Sequence, residues 1–235
     1  DTLQLAAGRF IQLETAMKTV WIIGAGQFGE KAAVRLRLKY SEASIIVVDQ
    51  DQRALQHVEG MATAVVAADG AAYLAEHLTV SEEPDWIVAA VPVHLAFEWL
   101  CKRLSPAYRV EKLTVPEALT QKLGCVFKGK GGRVYTSVAD FICPNNCPEP
   151  ADLCFVTGKP RPIDLYKELT AVDPHQMTPV IVRSRQLSPG VGGYSPGDLL
   201  DALRKVEACR GPVLLGTACR CHSVLDAFRL IPRTS

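Results

Sequence analysis

The chain has 235 residues, 48% of them apolar, and its 26 basic and 25 acidic side chains leave a formal charge of +1. That length supplies a large core and room for a second unit, while interspersed charges of both signs exclude a surface built mainly for nucleic acid or membrane. No apolar run approaches the roughly 20 residues of a spanning helix. Residues 1–16 precede Met17, lack the basic start and cleavage pattern of a secretory signal, and are set aside as an N-terminal extension. A cytoplasmic location is therefore expected. In that compartment eight cysteines point away from disulfides and toward metal or redox chemistry.

In Thr19-Val-Trp-Ile-Ile-Gly-Ala-Gly-Gln-Phe-Gly29 a short apolar run passes directly into G-x-G-x-x-G, which predicts a strand feeding a helix. Gly24 makes the tight turn, Gly26 lets a pyrophosphate approach the backbone beside Gln27 and Phe28, and Gly29 lets the helix lie close to the strand. The helix start presents free N–H groups and a partial positive charge to the phosphates. A helix over 31–39 and a buried strand over 45–48 follow, and Asp49 closes that strand. Its carboxylate suits both ribose hydroxyls of an adenosine and repels a 2′-phosphate, so NAD is favoured over NADP, although Arg53 keeps NADP open.

Helices over 51–58, 70–78 and 95–104 then alternate with strands over 64–67 and 86–91, the pattern of a parallel sheet with right-handed crossovers. Ligands to such sheets sit outside the strand carboxyl ends, which makes His94 a candidate proton donor. A fifth strand is expected over 109–115, a short helix over 116–123, and a hairpin over 125–137 whose Lys128, Lys130 and Arg133 read as a solvated basic turn.

Ile22-Ile-Gly-Ala-Gly-Gln-Phe-Gly29, Val47-Val-Asp-Gln-Asp51, Val65-Val-Ala-Ala-Asp-Gly70 and Asp85-Trp-Ile-Val-Ala-Ala90 together resemble the Rossmann NAD-binding domains of the potassium-conductance-regulating (RCK) type and their dehydrogenase relatives. The resemblance covers about half of the chain. It implies that Asp49 holds the adenosine ribose and that the Asp69 region lies beside the adenine. The second half does not resemble the small regulatory domain of potassium-channel regulators, so that role is not carried over.

Residues 143–154 hold three thiols, Cys143, Cys147 and Cys154, among three prolines, and so predict a rigid loop rather than a helix or central strand. Their spacing matches neither common zinc fingers nor bacterial ferredoxins. Cys219, Cys221 and His222 fall after a strand over 212–216 and before an expected helix over 223–230, a position that would favour thiolates. A centre held by Cys143, Cys147, Cys154 and either Cys219 or Cys221 is the leading reading. Iron-sulfur cluster and zinc both stay open. Cys101 and Cys209 read as core residues.

A strand over 179–184, a glycine-rich loop over 185–198 and a helix over 199–209 capped by Ser195 make a second β-α-β unit. Its loops are expected to converge on the Cys219 turn as a substrate site, with Arg183 and Arg185 for a carboxylate or phosphate, Gly192 and Gly193 for backbone access, and Tyr194 as an acid. His175 reads as an ordinary turn residue.

The expected fold is α/β: a Rossmann-like doubly wound parallel sheet over 17–140, a cysteine- and proline-rich loop region over 141–178, and a smaller β-α-β unit over 179–235. The expected function is an NAD(P)-binding oxidoreductase or electron-transfer subunit with a cysteine-ligated metal or iron-sulfur site. His94, Tyr194 and Cys219 are its candidate catalytic residues. The competing readings are a non-catalytic NAD-sensing accessory protein with structural zinc, and a transferase with Cys219 or Cys221 as nucleophile. Expected partners are a small-molecule substrate and either a second copy or a redox protein.

Overall fold

A computed structural model describes residues 17–79, 83–173 and 177–233, so the extension 1–16 and His175 lie outside the described residues. Strand β1 (Thr19–Ile23) lies between β2 (Ser44–Asp49) and β4 (Trp86–Ala89), with β3 (Ala64–Ala67) outside β2, and all three pairings are parallel. Helices α1 (Gln27–Lys39), α2 (Gln52–Gln56), α3 (Gly70–His77) and α4 (Leu95–Leu104) connect or follow them. Local chemistry fixes two of the starts: Asp51 accepts from the Arg53 and Ala54 amides, and Asp69 from that of Ala72.

The second sheet is mixed. Its strands are β5 (Tyr108–Leu113), β6 (Cys125–Lys128), β7 (Val134–Ser137), β8 (Thr178–Arg183), β11 (Val213–Ala218) and β12 (His222–Pro232). Strand β12 pairs antiparallel with β11 on one side and with β7 and then β5 on the other, while β8 and β11 are parallel. Two short helices, α5 (Glu117–Thr120) and α6 (Leu165–Thr170), accompany it. Helix α7 (Pro196–Ala208) crosses from β8 to β11, starting where Ser195 accepts from the Asp198 amide with Pro196 at the first position.

Three sequence expectations change here. Residues 223–230 are not a helix but most of β12, because backbone pairing on both edges and burial of Leu225, Ala227 and Phe228 override helix propensity. Strand β5 and the β6–β7 hairpin, assigned by sequence to the first unit, belong to the second sheet. The glycine-rich loop is a bulged hairpin of β9 (Arg185–Ser188) and β10 (Val191–Gly193), and the Tyr194 backbone beyond it exchanges two hydrogen bonds with Ile87 on the edge of β4.

Helices α3, α4 and α7 form a layer whose side chains pack with residues of both sheets in one core. Phe97, Trp99 and Phe228 are fully buried there, and the Phe97 and Phe228 rings meet edge to face at 5.5 Å. Trp99→Ala would cost about 3–5 kcal/mol in such a setting. Helices α1 and α2 with the β9–β10 hairpin cover the other face of the first sheet, and α6 covers the other face of the second. The carboxyl ends of β4, β8 and β11 consequently meet in one region.

Candidate functional site

At the glycine turn, Gly24 has φ +108, and a Cβ there would lie 2.5 Å from the Ala90 carbonyl oxygen. A Cβ on Gly29 would lie 1.8 Å from the Gly24 oxygen, whereas Gly26 has nothing within 4 Å of that position. The turn is thus closed on its protein side and open where phosphates approach. Gly26 caps α1 without any side-chain bond, which leaves the first amides free, with Gln27 and Phe28 exposed beside them. Asp49, half-buried at the end of β2, accepts from the Ala25 amide at 2.6 Å and the Asp51 amide at 2.9 Å. Asp69 caps α3 and lies 3.3 Å from Lys102 Nζ.

Where β4, β8 and β11 end, a cavity of about 310 Å³ is lined by Val91, His94, Tyr194, Thr217, Cys219 and His222, among others. His94 is buried: Nδ1 lies 2.8 Å from Asp226 Oδ2 and Nε2 lies 3.0 Å from Thr217 Oγ1. Burial holds its pKa below the ordinary histidine value despite the Asp226 carboxylate, so the ring is neutral near pH 7. Arg133 is not the solvated residue that its turn suggested. It is buried, with Nε on Asp226 at 2.8 Å and Nη2 on Glu98 at 2.9 Å. The Tyr194 hydroxyl, also buried, has no hydrogen-bond partner among the described residues, and its pKa is raised by burial.

A larger cavity of about 670 Å³ adjoins the first, with Ser184, Gly192, Cys219 and His222 common to both. Cys143, Cys147, Cys154, Cys219 and Cys221 all line it, and so does Phe28 of the glycine turn. The cysteine loop is docked there by backbone acceptors. Arg35 Nη1 donates to the Asn145 oxygen at 2.7 Å, and Gln186 Nε2 and the Gly190 amide donate to the Cys147 oxygen at 2.8 and 2.9 Å. Gly190, at φ +70, is the point of closest approach, since a Cβ would lie 1.7 Å from the Asn145 oxygen.

The thiols differ in environment. Burial raises the Cys143 pKa, and neighbouring Cys147, Cys221 and Cys154 raise it further. Backbone hydrogen bonds from Thr157 and Val156 and the Thr157 hydroxyl lower that of Cys154. Burial raises Cys221 although Arg161 Nε donates to its sulfur at 2.9 Å. Cys219 and Cys221 sit in the β11–β12 hairpin turn and not at a helix start, so the expected helix-lowered pKa does not arise; burial pushes Cys219 up to about 12. Its sulfur accepts from the Cys221 and His222 amides at 3.4 and 3.3 Å. Among the described residues, no three His, Cys, Asp or Glu side chains are arranged to hold a single metal ion.

Of the expected substrate residues, Gly192 lines both cavities, whereas Gly193 packs against Leu187 and Ile87 and lines neither. Arg183 stacks over the Tyr166 ring at 4.6 Å, and Arg185 donates to Asp198 at 2.5 Å. Sequence reasoning missed Thr217, Asp226, Arg161 and Glu149, while Arg220 was noted only as positive charge beside the Cys219 turn. Asp226 did carry a signal, as a carboxylate inside the apolar run Val224-Leu225-Asp226-Ala227-Phe228.

A family model described as "Uncharacterized protein, C-terminal domain" matches residues 96–231, more than half of the chain. The chain belongs to this family. A second model, the TrkA-N domain, matches residues 20–101. A protein of Archaeoglobus fulgidus described as "Uncharacterized protein" is 25% identical over 217 residues, covering 88% of this chain and 98% of the relative.

The TrkA-N domain, of the Rossmann-like NAD-binding and RCK type, therefore comprises β1 to β4 with their helices and ends within α4. The C-terminal family model begins one residue into α4 and includes β5, β6 and β7, in keeping with their place in the second sheet. The residues present fit a dinucleotide: an open approach at Gly26, uncapped α1 amides, and the Asp49 carboxylate fixed at the turn. Among the described residues, no helix is long and apolar enough to cross a membrane.

Proposed function

We propose that this protein is an NAD-linked oxidoreductase or electron-transfer subunit in which the TrkA-N domain holds the dinucleotide and Cys143, Cys147, Cys154 and Cys221 hold an iron-sulfur cluster. The observation that carries this reading is the single cavity lined both by those thiols and by Phe28 of the nucleotide turn. Cys221 is the preferred fourth ligand because it lines the thiol cavity alone, whereas Cys219 also lines the smaller cavity and its sulfur already accepts two backbone amides. Four thiols lining one cavity match the number of cysteine ligands that a 2Fe–2S or 4Fe–4S cluster takes. Asp49 favours NAD over NADP.

When bound, the dinucleotide supplies two-electron hydride chemistry and the cluster one-electron steps. The chain supplies position and protons. His94 and Thr217 form a short hydrogen-bonded path to the smaller cavity, with Asp226 fixing the imidazole, and Tyr194 lines the same space. A Cys219 nucleophile is disfavoured, because a thiol at about 12 is protonated near neutrality.

The test is anaerobic purification followed by absorption spectroscopy and analysis for iron, sulfide and zinc. A brown protein with iron and sulfide, lost in Cys143→Ser and Cys221→Ser and kept in Cys101→Ser, is the expected result. Colourless protein with stoichiometric zinc would replace this reading with a non-catalytic NAD-binding accessory protein. Absence of both metals would remove the centre altogether.

A further inference from the structure

Beside the thiol cavity lies a smaller one of about 360 Å³ lined by Arg183, Arg185, Arg220, Glu149, Ser184 and Gln186. Its three guanidinium groups come from separate places: the end of β8, the start of β9, and the turn between β11 and β12. Parallel pairing of β8 with β11 brings them together, by setting Arg183 opposite Ala218 just before the turn.

Their partners leave much donor capacity unused. Arg185 gives one bond to Asp198, and Arg220 Nε stands 3.6 Å from Asp164 Oδ2. Arg183 has no carboxylate partner among the described residues, and its stacking on Tyr166 orients the planar group while leaving its N–H edge available. The carboxylate facing this space is Glu149, whose Oε1 accepts the Arg220 amide at 2.7 Å and whose backbone is held at φ +48. Gln186 is already engaged with the Cys147 and Ser188 carbonyls. Each guanidinium carries five donors in a planar fork that matches a carboxylate or phosphoryl group with two parallel bonds.

We propose that this cavity binds the anionic end of the substrate, a compact oxyanion borne by a small molecule whose remainder enters the thiol cavity. Glu149, Ser184 and Gln186 line both spaces, so they are contiguous. The reach toward the thiols rests on the function proposed above; the anion site itself stands on the three arginines alone.

The test is calorimetric titration of the full chain with malonate and, separately, with inorganic phosphate, on protein as purified and after metal removal. Saturable binding that weakens about tenfold or more in both Arg183→Ala and Arg220→Ala is expected, with Arg183→Lys retaining part of it and the nucleotide-side control Arg53→Ala unchanged. Tighter malonate binding assigns a carboxylate substrate and tighter phosphate binding a phosphorylated one. Binding that ignores both arginine variants, that follows Arg53 instead, or that is absent for both anions overturns the proposal. A chain without iron or zinc that still binds the anion would sink the metal reading and leave this one standing.

Discussion

His94 Nδ1 lies 2.8 Å from Asp226 Oδ2, a contact between residues 132 positions apart that ties the start of α4 to the middle of β12. Arg133 Nε binds the same oxygen at 2.8 Å and reaches Glu98 of α4 with Nη2. One carboxylate therefore holds the nucleotide-binding half to the second sheet. Asp226→Asn would leave the Arg133 charge buried against a neutral group, and a loss of about 3 kcal/mol is expected. Urea unfolding measures it; an unchanged midpoint would refute this role.

The same network sets the acid side of the stability profile. Burial lowers the His94 pKa from 6.5, so the unfolded chain binds its proton more readily and the His94 contribution is present above about pH 6.5 and lost as pH falls below it. Burial alone would raise Asp226, but hydrogen bonds from His94 and Arg133 outweigh it and the net shift is downward from 3.8, so its contribution disappears only as pH drops below about 4. Stability should therefore decline in two stages on acidification, with His94 contributing no more than about 1.4 kcal/mol per pH unit to the first. His94→Gln should shrink the first stage and leave the part due to His222, whose pKa burial also lowers. A denaturant series at fixed pH steps reads both.

Two glycines of the nucleotide turn should separate folding from binding. Gly26→Ala adds a methyl to open space, so stability should stay within about 0.5 kcal/mol of the parent while NAD affinity falls about tenfold. Gly29→Ala drives a Cβ into the Gly24 carbonyl and should lose both. Thermal melting beside NADH fluorescence titration distinguishes the two. Normal NADH binding by Gly26→Ala would count against the placement of the pyrophosphate.

The Tyr194 hydroxyl is buried without a partner among the described residues, which costs folding free energy unless a ligand meets it. In ligand-free protein Tyr194→Phe should thus stabilise by about 1 kcal/mol. A destabilised variant in urea would mean that the hydroxyl is bonded in solution.

Gly190→Ala tests how the cysteine loop is seated. The added Cβ would lie 1.7 Å from the Asn145 oxygen, so the loop must lift, at a cost of about 1–3 kcal/mol. Chymotrypsin should then cleave faster after Phe155, which is exposed just beyond the loop. Unaltered cleavage kinetics would show that the loop is held by other contacts.

Legibility followed the range of the forces involved. The β1–turn–α1–β2 unit was readable because apolar runs, glycine spacing and a terminal acid all lie within 31 residues, Thr19 to Asp49. The helix start at Ser195 was equally local. Strand β12 was misread because Leu225 to Phe228 is buried on both faces, which erases the alternation that marks a half-exposed strand. Its identity as a strand depends on β11, β7 and β5, segments that sequence distance hides.

By itself the sequence determined a dinucleotide turn, a thiol-bearing loop and a thiol-bearing turn, since glycine, proline and cysteine act through chemistry that neighbours in the chain cannot disguise. Only the tertiary structure decided that both sets of thiols and the nucleotide turn open on one cavity, and that Asp226 meets His94. Those outcomes depend on strand register and burial, which are settled by contacts between distant segments and leave no local trace.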